Sequence, residues 1–144
     1  MRTSWVYSNH GKNFLLTIAR LAAERKQLRI VSDQFGAPTS ARVIADALVR
    51  ILRLNRVDTA GAFARGCGVV NIASSETTSW HGFATAIVAG MKQRAIAIET
   101  EQVLPIETDE YPTKATRPRN SRLDLGRLHE VFGIKTRSAR GARH

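Results

Sequence analysis

Leu28-Arg29-Ile30-Val31-Ser32-Asp33-Gln34-Phe35-Gly36-Ala37-Pro38-Thr39-Ser40 is the stretch whose reading decides the fold. Leu28 to Ser32 is rich in branched apolar side chains and reads as a strand. Gly36 and Pro38 then break the run, and Thr39 or Ser40 is placed to cap a helix. That helix should run to about Leu54 and bury Ile44, Ala47, Leu48, Ile51 and Leu52 at helical spacing. A strand, a loop and a helix in this order make the unit from which parallel α/β sheets are built. Open sheets of that kind bind ligands beyond the carboxyl ends of their strands, so Gln34 and Thr39 become candidate ligand contacts.

The same alternation extends outward. Thr3 to Tyr7 is aromatic and β-branched and reads as a strand; residues 13–26 then put Phe14, Ile18, Leu21 and Ala22 on one helical stripe. Asn55 to Gly68, rich in Gly and polar residues, should cross the surface, and Val69 to Ala73 reads as a further strand. Thr77 or Thr78 would cap a helix from Ser79 to about Gln93, with Phe83, Ala84, Ile87, Val88 and Met91 facing inward. Val103 to Ile106 is a short strand broken by Pro105, and residues 107–121 are too rich in Pro, Thr and charge to be regular. A last helix, Leu125 to Phe132, ends at Gly133. The fold class is α/β with few parallel strands. So few strands and helices scarcely cover both faces of a parallel sheet, so the chain reads as part of something larger. No composition shift marks a boundary between two stable domains.

With 43% hydrophobic and 24% charged residues among 144, the chain can build a core. No apolar run approaches the ~20 residues of a membrane span, and the start lacks the apolar core of a secretory signal, so no membrane partner is expected. The lone Cys67 cannot form an internal disulfide and fits a reducing, cytoplasmic setting. A net charge of +10 suits a polyanion, an anionic membrane or a phosphorylated small molecule. Arg42, Arg50 and Arg53 read as parts of solvated helix faces. Residues 135–144 read as a basic disordered tail. It has no aromatic stacking series, so nucleic acid is set aside as the main partner and polyanion binding by the tail stays an alternative.

Catalytic machinery is missing from the pattern. The clustered glycines, Gly61, Gly66 and Gly68, do not form a phosphate-cradling motif ahead of a helix. A tyrosine proton donor activated by a lysine four residues on is absent, since Gly11 follows Tyr7 and Ala115 follows Tyr111 at that spacing. His10, His81, His129 and His144 share no metal-ligand spacing. What remains can hold a phosphorylated ligand. Arg117, stiffened by Pro118, presents a guanidinium fork that fits two diphosphate oxygens, unless it pairs with Glu110 or Asp109. Asn120 and Ser121 follow with neutral hydrogen-bonding groups. Asn13 opens a helix as an anion contact or as an N-cap, and Trp5 offers a flat face to a sugar or is a buried sheet tryptophan.

The order Arg2-Thr3-Ser4-Trp5-Val6-Tyr7, Gly11-Lys12-Asn13-Phe14 and Asp33-Gln34-x-Gly36-x-Pro38-Thr39 resembles the dTDP-4-dehydrorhamnose reductases. Thr78-Ser79-Trp80-His81-Gly82-Phe83-Ala84, Leu104-Pro105-Ile106 and Tyr111-Pro112 with Arg117-Pro118-x-Asn120-Ser121 continue the match to Ile134. The resemblance implies the C-terminal part of a Rossmann-type extended short-chain reductase with a small helical substrate lobe. Such enzymes use NADPH or NADH to reduce the 4-keto group of dTDP-4-dehydrorhamnose, giving dTDP-L-rhamnose. It implies that Trp5 lies near the sugar and nicotinamide, and that Asn13, Gln34, Thr39, Arg117 and Ser121 line the nucleotide-diphosphate cleft. The family's coenzyme loop and Tyr/Lys pair would precede Met1, and its apolar final helix is replaced after Ile134 by the basic tail. Residues 1–134 are then a dTDP-sugar-binding part that retains no coenzyme and is inactive alone. Its protein partner would be the missing half or a second copy. The alternative within the same resemblance is a non-enzymatic module like the regulatory subunit of methionine adenosyltransferase.

Overall fold

Ser40 rather than Thr39 starts the helix that follows the Gly36–Pro38 loop. Its hydroxyl accepts from the Val43 N–H at 3.2 Å, satisfying one of the donors a helix leaves open at its start. The computed structural model describes residues 1–111, 115 and 117–136. Its elements run β1 (Val6–Tyr7), α1 (Phe14–Glu24), β2 (Gln27–Val31), β3 (Phe35–Gly36), β4 (Thr39–Ser40), α2 (Ala41–Leu54) and α3 (Thr59–Arg65). β5 (Thr78–Ser79), α4 (Trp80–Gln93), β6 (Gln102–Ile106), a 3-10 turn (Thr108–Glu110) and α5 (Gly126–Phe132) complete the order. Of the expected basic tail only Lys135 and Thr136 lie within the described residues.

These elements form two compact units. Met1–Val6, Ala37–Thr77 and the chain from Arg122 onward make unit 1; Tyr7–Gly36 and Thr78–Ser121 make unit 2. The division has no signature in composition because no single linker carries it. The backbone passes between the units in the middle of motifs, between Gly36 and Ala37 for example.

In unit 2, β2 and β6 pair in parallel, with Leu28 opposite Val103 and Ile30 opposite Pro105. Pro105 therefore does not break the strand. Among the described residues β6 has a partner on one side only, where a missing N–H is tolerated. α1 and α4 bury Ile18, Ala22, Phe83, Ala84, Ile87 and Val88 around Leu28, and each large side chain contributes about 1.5–3 kcal/mol. Aromatic rings knit the cluster: Tyr7 and Phe83 lie 5.3 Å apart, Phe14 and Phe83 5.4 Å, and Phe14 and Trp80 4.5 Å. Ser79 caps α4 by accepting from the Gly82 N–H at 3.0 Å. Thr78 is used differently, pairing with Gly36 across the antiparallel β3–β5 contact.

In unit 1, α2, α3 and α5 enclose Ala47, Ile51, Ala62, Val70, Ile72, Leu128, Phe132 and Ile134. Four expectations fail here. Leu48 and Leu52 are 38% and 50% exposed, not buried. α2 carries two apolar stripes about 100° apart, and only the Ala47/Ile51 stripe meets the core. Asn55 to Gly68 holds a helix, α3, capped by the Asp58 carboxylate on the Gly61 N–H at 2.8 Å. Gly61, which hid this helix in the sequence, is what lets the cap close, because a Cβ there would collide with that carboxylate. Val69 to Ala73 makes a single parallel bridge, Asn71 with Arg2, rather than a strand. The expected strand from Thr3 is also shortened, since Trp5 takes a left-handed φ of +50° that no strand can include. Gly133 ends α5 as expected, at φ +66° with its N–H on the His129 carbonyl.

Candidate functional site

A cleft of about 780 Å³ opens in unit 2 along α1 and β2, within the size range of small-molecule sites. Phe14, Leu21, Val31, Trp80 and Ile106 give it apolar walls, while Arg25, Arg29 and Arg117 add positive charge. Glu110 pairs with Arg29 at 2.7 Å, so this carboxylate is tied to a cation other than Arg117. Trp80 both packs on Phe14 and faces the cleft.

Gln34 lines the cleft from the loop after β2 and is only 6% exposed; its Nε2 donates to Thr108 Oγ1 at 3.1 Å. Next to it, Asp33 Oδ1 accepts from the Thr108 hydroxyl at 2.6 Å and from the Thr108 N–H at 3.1 Å. Its Oδ2 stands 3.6 Å from Arg119. The Thr108 hydroxyl, foremost, and the Arg119 charge hold this carboxyl below the usual carboxylate range against the opposing effect of burial. The Arg117–Ser121 segment is laid along the same loop: Phe35 N–H donates to the Arg119 carbonyl at 2.8 Å, and Ser121 N–H to the Phe35 carbonyl at 2.8 Å.

Gln34 and Arg117 are thus brought to one cleft, with Ser121 fixed nearby in sequence by its backbone. Asn13 is an N-cap: Oδ1 accepts from Leu16 N–H at 3.2 Å, and Nδ2 donates to the Ser8 and His10 carbonyls at 2.9 and 3.1 Å. Trp5 and Thr39 belong to unit 1. Thr39 is fully buried, its hydroxyl donating to Ala37 O at 2.8 Å and accepting from Ser74 N–H at 3.1 Å. Trp5 is half-buried, and its carbonyl accepts from Thr39 N–H at 3.1 Å. Sequence reasoning passed over Thr108, Arg25 and Arg29. Thr108 meets Asp33 across 75 residues, which no local pattern announces.

An α/β arrangement with a parallel strand pair and a cationic, partly aromatic cleft beside its strand-end loops is of the kind in which small-molecule sites occur. The chain belongs to the RmlD substrate binding domain family, whose profile matches residues 1–143. A dTDP-4-dehydrorhamnose reductase of Burkholderia thailandensis is 48% identical over 137 residues, covering 93% of this chain and 45% of that protein. Its counterpart in Escherichia coli is 37% identical over 135 residues, covering 92% and 43%. The solved dTDP-4-dehydrorhamnose reductase of Bacillus anthracis, in complex with NADP, superposes with a TM-score of 0.78 at 26% identity, covering 95% of this chain and 43% of that one. One from Clostridium acetobutylicum gives 0.75 at 28%, with the same coverage. The chain therefore spans less than half the length of these relatives. The α/β class read from the sequence is that of these structures.

Neither the Gly61–Gly68 cluster nor Tyr7 has the form that the pyrophosphate or the hydride-transfer end of a nicotinamide dinucleotide calls for. Gly66 closes α3 as its C-cap, and the chain beyond Gly68 enters the Asn71 bridge rather than a helix, so no helix N-terminus waits there for phosphate. Burial raises the Tyr7 pKa, the opposite of what a tyrosine proton donor needs. Among the described residues no group of His, Cys, Asp and Glu could hold a metal ion, and no helix is long and apolar enough to cross a membrane.

Proposed function

We propose that this chain is the sugar-nucleotide-binding part of a dTDP-4-dehydrorhamnose reductase, that it takes a dTDP-sugar, and that it performs no reduction by itself. The observation that carries the reading is the presence of Gln34 and Arg117 on one cleft that also has aromatic and apolar walls and two further arginines, Arg25 and Arg29. A guanidinium fork suits the paired oxygens of a diphosphate, and the Phe14 and Trp80 faces suit a base or sugar. Ser121 and Asn120 offer neutral groups beside Arg117. Asn13 and Thr39 serve by holding their own loops, since their side-chain hydrogen bonds are already taken. Trp5 is assigned to the sugar on the family resemblance. On this reading, reduction of the 4-keto group by NADPH or NADH falls to the part of the relatives' length that this chain does not span.

Isothermal titration tests both halves of the proposal. dTDP-rhamnose should bind saturably and NADPH should give no heat. Arg117→Lys should weaken dTDP-rhamnose about tenfold, because a point charge replaces a two-point fork. Failure to bind any thymidine nucleotide overturns the site, and NADPH oxidation by the isolated chain with dTDP-4-dehydrorhamnose overturns the claim of inactivity.

A further inference from the structure

We infer that Asp33 and Thr108 fix the Gln34 side-chain amide with its carbonyl oxygen free for the cleft, making these three residues a selector for ligands that present a hydrogen-bond donor there. The N3–H of a keto pyrimidine is such a donor; N3 of cytosine, an acceptor, is not. The inference rests on the reading of this cleft as a nucleotide site and adds how the base would be told apart.

The direction of the relay follows from counting protons. An ionised carboxylate can only accept hydrogen bonds. Thr108 has one hydroxyl proton, and at 2.6 Å from Asp33 Oδ1 it goes to the carboxylate, the stronger acceptor. The Thr108 N–H reaches the same oxygen at 3.1 Å, so the threonine is held at two points. Having given its proton away, Thr108 Oγ1 can offer only a lone pair to the Gln34 amide 3.1 Å from it. The amide must therefore turn Nε2 toward Thr108, because Oε1 in that place would set lone pair against lone pair. Arg119 and Thr108 keep Asp33 ionised at neutral pH, so the relay does not reverse there. Oε1 is then the Gln34 group left for a ligand, on a residue 6% exposed that lines the cleft. At so dry a position, an acceptor facing an acceptor is rejected more strongly than a missing contact on an open surface.

The test compares dUDP with dCDP, which differ only along the base edge, on the full chain. The wild type should prefer dUDP by about tenfold or more. Thr108→Val, which keeps shape and loses the hydroxyl, and Asp33→Asn, which frees the hydroxyl proton to point either way, should bring the ratio toward one. Thr108→Ser, which keeps the hydroxyl, should retain the preference. A role limited to holding the fold would weaken both nucleotides alike and leave the ratio unmoved, which overturns the inference while the nucleotide site stands. A wild type that binds both nucleotides equally overturns it as well. A wild type that binds neither overturns the site reading and this one with it, so the two failures are distinguishable.

Discussion

Phe83→Ala should be among the most damaging single substitutions in unit 2. Phe83 is 9% exposed on α4, its ring 5.3 Å from Tyr7 and 5.4 Å from Phe14. Phe14 in turn lies 4.5 Å from Trp80 and faces the cleft. Removing the ring costs the transfer of its surface and leaves a hole between two helices that cannot close it. The expected cost is about 3–5 kcal/mol, against a total stability of about 5–15 kcal/mol. For a chain of 144 residues, about 2–4 °C per kcal/mol makes the fall in melting temperature on the order of 6–20 °C. Phe63→Ala is the control. That ring is 43% exposed and has one aromatic neighbour, Phe132 at 5.7 Å, so the loss should be about 1 kcal/mol. Urea unfolding followed by far-ultraviolet circular dichroism measures both. Because Phe14 would lose its backing, Phe83→Ala should also weaken nucleotide binding while Phe63→Ala should not. Equal losses for the two variants, or a larger one for Phe63→Ala, would refute the packing argument.

Gly133→Ala should cost about 1 kcal/mol, seen as a lower urea midpoint, because a Cβ is forced into the left-handed region at φ +66° although nothing crowds it. The lowered pKa values of Asp33 and Asp58 set the acid limb. Their contribution is full above the unfolded carboxylate value of about 4 and is lost as pH falls through the lower folded values, so unfolding curves between about pH 4 and 2 should flatten in the Asp33→Asn/Asp58→Asn double variant. The second apolar stripe of α2 leaves Leu48, Val49 and Leu52 exposed, and sedimentation velocity should show the chain self-associating with rising concentration. Leu48→Glu with Leu52→Glu should abolish that association, and a wild type that stays monomeric at high micromolar concentration would contradict it.

Most elements were legible because their signals are local. The stripe Phe14, Ile18, Leu21, Ala22 gave α1, the stripe from Phe83 to Met91 gave α4, and Gly133 gave the end of α5. Errors arose where a local signal had two meanings. Gly61 looks like a loop residue unless one knows that the Asp58 carboxylate folds over it. Pro105 looks like a strand breaker unless one knows that, among the described residues, β6 is paired on one side. In the site, Gln34 and Arg117 were readable from their places beside a strand end and a proline, and both reach the cleft. Asn13 and Thr39 carry the same kind of polar group, and nothing local says that their hydrogen bonds are spent on Leu16, Ser8 and His10, or on Ala37 and Ser74.

The order of residues by itself determined the α/β class and the helical faces of α1 and α4. These follow from backbone period and capping, which act over three or four residues. Tertiary structure alone decided which stripe of α2 is covered, that the chain builds two interleaved units, and that Asp33 meets Thr108 and so orients Gln34. Burial and hydrogen-bond direction depend on neighbours tens of residues away, and only the folded chain brings those neighbours together.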